Sequence, residues 1–243
     1  MPEGPSIVIL KEAAAKFEGK KISAVSGNTK VDKAQMLNKK VIAFKSWGKQ
    51  FLICFDGFTV RIHMLMFGSY RIDERKETPE RLSLTFKNGE LNFYACSVKI
   101  IEGNIDDAYD FTADVMNDTW NAKAARQKLM LIPDTLICDA LLDQQIFSGV
   151  GNIIKNEVLY RVKIHPNSEI GKIPALKLNK LIKEARNYSF DFLHWKRDFV
   201  LKKHWLSHTK KVCLRCNLPI IKEYTGVHHR RSFICTNCQK LYT

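Results

Sequence analysis

Four of the seven cysteines are spaced like metal ligands. They form two Cys-x-x-Cys pairs, Cys213 with Cys216 and Cys235 with Cys238. Two such turns can bring four thiolates into a tetrahedron around Zn²⁺, and four thiolates leave no coordination position for a reacting water. The alternative is two disulfides, which the odd cysteine total and a reducing cytosol disfavour. The sequence therefore predicts one structural zinc ion per chain and no redox cofactor.

Pro2 and Glu3 could act together as an amine catalyst. Methionine is commonly trimmed before a small residue such as proline, and this would leave Pro2 with a terminal secondary amine. An α-amino group has a pKa near ~8, so part of it is unprotonated at neutral pH and can attack an aldehyde-type carbon. The Glu3 carboxyl could donate and accept protons at that carbon. The alternative is an ordinary flexible terminus.

A glycine-containing turn, Gly149-Val150-Gly151-Asn152, joins two predicted helices. The helix after it would present backbone N–H groups, which bind phosphate well. A purely structural connector would have the same sequence. The formal net charge of +14 favours a contact with DNA. A positive field of this size attracts polyanions, nucleic acid first and an anionic membrane surface second.

The basic excess is greatest around the cysteine pairs. Residues 201–243 contain nine lysines and arginines and one acid, Glu223. Between the two cysteine pairs, two strand-like runs flank a turn at Thr225-Gly226, and Arg230 lies near its tip. A hairpin clipped by zinc in this way can enter a DNA groove or hold phosphates.

The elements that must position these residues change in kind along the chain. Residues 22–110 are strand-rich, with hairpin signals at Asp56-Gly57 and Asn88-Gly89, which predicts an antiparallel sandwich or barrel. One helix is predicted before it, over residues 6–17. Further helices are predicted over 121–131, 134–147, 152–160, 175–195 and 199–206.

The polar stretch 103–107 indicates a domain boundary, and three domains are predicted: residues 1–112, 113–206 and 207–243. No apolar run reaches the ~18 residues of a bilayer span, and the first residues lack a secretory signal. We therefore expect a cytoplasmic protein with no membrane partner. Nothing indicates a coiled coil or a symmetric interface, so a monomer is expected.

Together, the Pro2–Pro5 terminus, the Gly149–Asn152 turn and the four-cysteine hairpin resemble the Fpg/Nei family of bifunctional DNA glycosylases. The resemblance covers essentially the whole chain, and the Pro-Glu-Gly-Pro terminus is closer to the endonuclease VIII branch. It implies an α+β multidomain fold. An N-terminal antiparallel β-sandwich with a leading helix would be catalytic, followed by a helix–two-turn–helix domain and a β-hairpin zinc finger.

The resemblance also implies roles for individual residues. Pro2 would be the Schiff-base nucleophile, and Glu3 the general acid that protonates the sugar oxygen. Lys49 would contact the phosphate beside the lesion. Asn152 and Arg230 would be two further phosphate ligands. The side chains that fill the space left by the extruded base would be Leu65, Met66 and Phe67. The void-filling side chains matter because a base must leave the duplex before its sugar can be attacked, and apolar wedges offset the cost of unstacking.

The sequence departs from the family pattern in three places. Ser6 stands where the family commonly has a second carboxylate, which bears on the proton relay of the glycosylase step. The segment 188–211 lacks the glycine-rich run that covers oxidised purines, which favours an oxidised pyrimidine as the target. The stretch 205–211 lacks the usual Tyr-Gly-Arg approach to the zinc hairpin.

The sequence therefore predicts a base-excision-repair enzyme. It would bind damaged double-stranded DNA, remove a base through a Pro2 iminium and cut the strand by β- and δ-elimination. One rival is a catalytically weak or inactive lesion- or junction-binding protein of the same fold, which Ser6 keeps open. A second rival is an RNA-binding zinc-ribbon protein, which would leave Pro2 and Glu3 unexplained.

Overall fold

The computed structural model describes residues 2–243. These divide into two compact units at the Asp110–Phe111 junction. Within the described residues, no helix combines the length and the apolar character that a membrane crossing requires. The first unit begins with helix α1 (Gly4–Ala14) and a 3₁₀ turn (Ala15–Phe17), where one helix was predicted over 6–17. Its buried residues recur every three to four positions, so one face of α1 enters the core.

Six strands follow α1 and form one antiparallel sheet in the order β1-β5-β6-β4-β3-β2. Their bounds are β1 Ile22–Ser26, β2 Ala43–Trp47, β3 Gln50–Cys54, β4 Phe58–Ile72, β5 Leu82–Phe86 and β6 Gly89–Glu102. The short helix α2 (Ile105–Ala108) ends the unit. The hairpin turns predicted at residues 56–57 and 88–89 join β3 to β4 and β5 to β6.

The two long strands make this sheet a sandwich. β4 and β6 pair on both sides of a register break between Met64 and Ser69. The first half of β4 pairs with β3, whereas the first half of β6 pairs with β5. The two half-sheets share one buried apolar cluster, in which the rings of Phe51 and Phe93 lie 5.9 Å apart. This confirms the sandwich rather than the barrel.

The second unit contains four helices and a two-stranded hairpin. The helices are α3 Ala122–Met130, α4 Ile137–Ala140, α5 Asn152–Val162 and α6 Ala175–Arg197, and the strands are β7 Ile221–Thr225 and β8 Arg230–Ile234. Three 3₁₀ turns lie at Phe111–Ala113, Ile170–Lys172 and Leu201–His204. Buried side chains of α3, α4, α5 and α6 form one core, and a smaller cluster lies beneath the hairpin. The α+β class is confirmed, and the separate domain 207–243 remains a prediction.

Two predicted helices were wrong in extent. Only residues 137–140 of the stretch 134–147 are α-helical, although isolated helical hydrogen bonds continue beyond them, from the Asp143 N–H to the Asp139 carbonyl and from the Phe147 N–H to the Asp143 carbonyl. The Asp143 carboxylate accepts from the Gln145 backbone N–H. The Gln144 side-chain amide donates to the Leu142 carbonyl and accepts from the Gly149 backbone N–H. The stretch 199–206 forms only a 3₁₀ turn, since Phe199 takes a φ of +58°.

Candidate nucleic-acid interface and metal centre

The N-terminal end of α5 holds the second strand of the hairpin. Side-chain amides of Asn152 and Asn156 donate to the carbonyl oxygen of Arg231 at 2.9 and 3.1 Å. The Lys155 ammonium donates to the Ser232 hydroxyl at 2.8 Å and lies 3.5 Å from the same carbonyl. Asn152 is therefore bonded to the residue next to Arg230, and the two predicted phosphate ligands of this unit lie close together.

Lys155 is an unusual residue in this arrangement because its side chain is fully buried. A buried ammonium without partners would cost several kcal/mol, roughly, so its hydrogen bonds decide whether the site is tolerable. Ser232, which accepts from Lys155, also shares a hydrogen bond of 2.6 Å with the Thr225 hydroxyl on β7. The buried network thus ties both strands of the hairpin to α5.

The tip of the hairpin is held separately, by Asp139 of α4. Its carboxylate accepts from the Val227 backbone N–H at 3.1 Å and is buried. Gly226 has a φ of +70°, and a Cβ there would clash with the Asp139 carboxylate. Backbone conformation and close approach both require glycine at this position. The turn before Arg230 is therefore fixed by α4.

A buried carboxylate anchors the segment that leads into the hairpin. Glu157 accepts from the backbone N–H groups of Leu206, Ser207 and His208 at 2.9, 2.9 and 2.7 Å. Charge-assisted bonds of this kind satisfy a buried anion. Burial, together with the charges of Lys155 and Arg231, lowers the pKa of His208 to about 4. His208 is therefore neutral at neutral pH.

The guanidinium groups of the two hairpin arginines differ. Arg231 donates to the Tyr224 hydroxyl at 3.2 Å, and this contact lowers the pKa of Tyr224. Arg230 opens β8 next to the turn, is half-buried, and forms no ion pair with any residue that the structure describes. Its charge is available to an anion at the tip.

The four cysteine sulfurs form a compact cluster. All four ligand atoms lie within 4.8 Å of one another, with Cys213 3.9 Å from Cys238 and Cys216 3.5 Å from Cys235. A regular tetrahedron with metal–sulfur bonds of about 2.3 Å has edges of about 3.8 Å, so the cluster fits Zn²⁺. None of these cysteines is in a disulfide, which removes the alternative of two disulfides.

Tyr160 and Arg215 support this cluster from α5 and from the first cysteine turn. The Tyr160 hydroxyl lies 3.1 Å from the Cys213 sulfur, and Arg215 donates to the Tyr160 carbonyl at 2.7 Å. Burial alone would raise the pKa of Cys213, but hydrogen bonds from Tyr160 and the backbone lower it to about 6. Burial raises the pKa of Cys235 to about 12. A divalent cation would offset the cost of ionising all four thiols.

The predicted catalytic residues lie in the first unit. Glu3 is buried and is the N-cap residue of α1, directly after the half-buried Pro2. Helix α1 packs against β2 and β3, the strands that Lys49 connects. Gly48 has a φ of +55°, which suits the first position of the two-residue turn that presents Lys49. Burial and the Arg61 charge lower the pKa of His63, whose ring also bonds to the Lys49 backbone.

The three predicted wedge residues are exposed and do not belong to the core. Leu65, Met66 and Phe67 are 48%, 62% and 85% exposed, and they lie at the register break of β4. Gly68 closes this segment, where a Cβ would lie 2.8 Å from the Ala95 carbonyl oxygen. An apolar run held out from a sheet edge is available to a ligand.

Sequence reasoning missed the residues that hold the hairpin: Asp139, Lys155, Asn156 and Glu157. Their signal was weak, since all four lie within helices, three of them in α5, and resemble ordinary polar side chains of a helix surface. Lys155, Asn156 and Glu157 form a polar run in the middle of α5, and all three are buried. Arg126, Gln127 and Lys128 of α3 form a similar polar run and none of them is buried, so such a run does not by itself indicate burial.

Two family profiles match the chain. The formamidopyrimidine-DNA glycosylase N-terminal domain matches residues 1–96, and the formamidopyrimidine-DNA glycosylase H2TH domain matches residues 110–188. Endonuclease 8-like 3 of Xenopus laevis is 27% identical over 220 residues, which are 79% of this chain and 33% of that protein. The chain thus spans about a third of that relative's length.

A bacterial relative and a solved structure agree with these matches. DNA-(apurinic or apyrimidinic site) lyase Nei2 of Mycolicibacterium smegmatis is 27% identical over 183 residues, 71% of each chain. The structure of Lactococcus lactis formamidopyrimidine-DNA glycosylase, solved non-covalently bound to AP-site DNA, is 22% identical in sequence and matches with a TM-score of 0.85. The match covers 98% of this chain and 99% of that chain. The fold and the cysteine cluster define an α+β protein with a C-terminal hairpin whose four cysteines could hold a metal ion. The chain belongs to the Fpg/Nei family.

Proposed function

We propose that the protein is a base-excision-repair DNA glycosylase with AP lyase activity. The observation that carries the proposal is the placement of Pro2 directly before Glu3, which is buried at the start of α1. The names of the relatives support the same activity, since one is called an AP lyase and another was solved on AP-site DNA. An oxidised pyrimidine is the proposed target, because the segment 188–211 lacks the glycine-rich run that the family resemblance associates with oxidised purines.

Pro2 is the proposed nucleophile, once Met1 has been removed. Its secondary amine attacks C1′ of the damaged nucleotide, and the base leaves with the electrons of the N-glycosidic bond and takes up a proton. Glu3 then protonates the ring oxygen O4′, the sugar opens, and the amine nitrogen and C1′ become an iminium. Loss of a C2′ proton expels the 3′ phosphate, and a second elimination expels the 5′ phosphate.

Phosphate contacts would hold the nucleotide while this occurs. Lys49 in the first unit, and Asn152 and Arg230 in the second, are the proposed ligands. Charge-assisted bonds to phosphate fix the backbone without reading the sequence. Leu65, Met66 and Phe67 would occupy the space left by the extruded base. Zn²⁺ on the four cysteines would keep the Arg230 hairpin folded, a structural role.

The experiment is borohydride trapping on a duplex with one abasic site, with the protein's N-terminal mass measured first. We expect a covalent adduct that maps to Pro2 and is lost in Pro2→Gly. Lys11→Gln, an α1 lysine outside the proposed site, is the control variant and should still be trapped. If protein that begins at Pro2 and contains one zinc gives no adduct, the lyase mechanism is wrong.

Ser6 favours one alternative, a catalytically weak or inactive lesion-binding protein. The Ser6 backbone N–H donates to the Glu3 carbonyl at 2.8 Å, and its side chain is half-buried beside the proposed acid. A serine hydroxyl is a much weaker general base than a carboxylate at neutral pH, which would weaken a proton relay. Tight binding of an abasic duplex without any trapped adduct would support this alternative.

A further inference from the structure

An open groove between α3 and α6 has a volume of about 560 Å³, within the size range of ligand clefts. None of its lining residues that the structure describes is acidic. Its principal lining residues are four basic and two apolar side chains: Lys123, Arg126, Lys183, Arg186, Trp120 and Ile182. This concentration of positive charge over an apolar surface is separate from the Asn152–Arg230 interface, with which it shares no residue.

The two arginines in the groove are held in fixed positions. Arg186 donates through Nη1 to the carbonyl oxygens of Val115 and Asn117 at 3.1 and 2.7 Å. Arg126 donates through Nε to the Asn179 side-chain oxygen at 3.0 Å. A guanidinium has five N–H donors, so each arginine retains donors for a ligand. Such pre-organised forks suit phosphate oxygens and lose little entropy on binding.

The lysines and the tryptophan complete the site. Lys123 and Lys183 are exposed and form no ion pair within the part of the chain that the structure describes. Trp120 is half-buried, with its ring centroid 5.9 Å from that of Phe147. Cations that follow a phosphate backbone, together with an aromatic ring that stacks on a base, are how proteins hold single strands without sequence preference. Duplex DNA stacks its bases internally and would leave the apolar lining without a partner.

We propose that the α3–α6 groove binds a short single-stranded segment of nucleic acid. A base stacks on Trp120 beside Ile182, and phosphates contact Arg126 and Arg186, with the lysines at the rim. This site goes beyond the proposed lesion chemistry, which takes place on a different set of residues. It would let the protein hold an unpaired strand while the other interface holds a duplex.

The test uses the zinc-loaded full chain and a short fluorescent oligothymidine. Binding is followed by anisotropy and by quenching of tryptophan fluorescence. The groove variant Lys123→Glu/Lys183→Glu should bind at least about tenfold more weakly, as the loss of phosphate contacts predicts. The matched control Lys172→Glu/Lys180→Glu makes the same charge change with two exposed lysines outside the groove lining. The affinity of this control for oligothymidine should stay within about threefold of that of the unaltered protein at moderate salt, where long-range electrostatic effects are screened.

The conservative variant Trp120→Phe keeps the packing on Phe147 and should lose part of the quenching. Equal weakening in the groove and control variants would overturn the groove site, because only the overall charge would then matter. Tighter binding of poly-glutamate than of oligothymidine would overturn it in favour of an acidic protein partner. Borohydride trapping is run on the same variants. A normal adduct together with unchanged binding of oligothymidine would refute the groove site but not the lyase activity. A missing adduct would refute the lyase activity but not the groove site.

Discussion

The buried ammonium of Lys155 on α5 donates to the hydroxyl of Ser232 on β8 at 2.8 Å. These residues are 77 positions apart in sequence, and their contact joins the helix that begins at Asn152 to the strand that begins at Arg230. The hairpin is therefore oriented by the interior of the helix as well as by its cysteines. Any ligand held by both Asn152 and Arg230 depends on this joint.

Lys155→Met should loosen the hairpin without unfolding the protein. Methionine has a similar length and removes the buried charge, so the folded core tolerates it, but Ser232 and Arg231 lose a donor. We expect affinity for an abasic duplex to fall about tenfold, which equals about 1.4 kcal/mol, the scale of one or two hydrogen bonds. Fluorescence anisotropy measures this. Lys180→Met on the exposed side of α6 is the control, and an equal fall there would contradict the positioning role.

Gly226→Ala should destabilise the hairpin tip, because its Cβ would meet the Asp139 carboxylate at a residue whose φ is +70°. We expect a loss of about 1–3 kcal/mol in the free energy of unfolding, the usual cost of such backbone strain plus a clash. Asp139→Ala relieves the clash, so the double variant should lose less than the sum of the two single variants. Urea denaturation of all four proteins measures the coupling. Strict additivity would show that the two residues do not interact.

Tyr160→Phe should weaken zinc retention. The Tyr160 hydroxyl lies 3.1 Å from the Cys213 sulfur, and a hydrogen bond to a ligating thiolate stabilises its charged form. Metal ligands' outer partners typically contribute about 10–100-fold to affinity, so competition with a chelator should release zinc at lower chelator concentration. Tyr224→Phe, an exposed hairpin tyrosine, is the control. Metal content by mass spectrometry should be one zinc per chain in the unaltered protein.

Phe67→Ala should leave the free energy of unfolding unchanged within about 0.5 kcal/mol, as is usual for exposed positions. It should slow excision of a damaged base from a duplex, because the unstacked gap loses a wedge, while trapping on a preformed abasic site changes less. Phe199→Ala is the control, since the Phe199 side chain is also highly exposed, at 96% against 85% for Phe67. Excision kinetics with a thymine-glycol duplex measure the effect, and equal slowing in both variants would remove the wedge role.

His208 should make stability depend on pH. Its pKa is lowered to about 4 in the folded protein, chiefly by burial, against about 6.5 in the unfolded chain. The unfolded state therefore binds more protons below pH ~6.5, and the contribution of His208 to stability is lost as pH falls from there towards 4. His208→Gln should flatten this slope in thermal denaturation. A slope that stays the same would assign it to other groups, His63 and His165 among them.

Much of the fold could be predicted because its signals are local. Hairpin turns at residues 56–57 and 88–89 and the apolar face of α1 lie within a few residues of what they specify. The family motifs likewise lie in short stretches. The helix predicted over 134–147 was too long: the Gln145 and Gly149 N–H groups bond to the side chains of Asp143 and Gln144, and periodicity does not report such competition.

The arrangement around the hairpin could not be predicted for a different reason. Asp139, Lys155 and Glu157 meet partners that are distant in sequence, so nothing beside them in the chain announces the contact. In the sequence, a polar helix residue that hydrogen-bonds to water cannot be distinguished from one that hydrogen-bonds to a buried carbonyl. Only the packing of α4 and α5 beneath the hairpin determines which of these occurs.

The register break in β4 has a consequence for how this protein can change. Residues 65–68 lie opposite Ala95 alone, and pairing resumes on either side at Met64–Cys96 and Ser69–Tyr94. The segment therefore behaves as a detour whose two ends are anchored by the same neighbouring strand. Residues 65–67 can be exchanged, or their number changed, without shifting the pleat of either half-sheet, whereas Gly68 is restricted by the nearby Ala95 carbonyl. Among related proteins the apolar tip can accordingly diverge in length and shape while the scaffold that carries it stays constant.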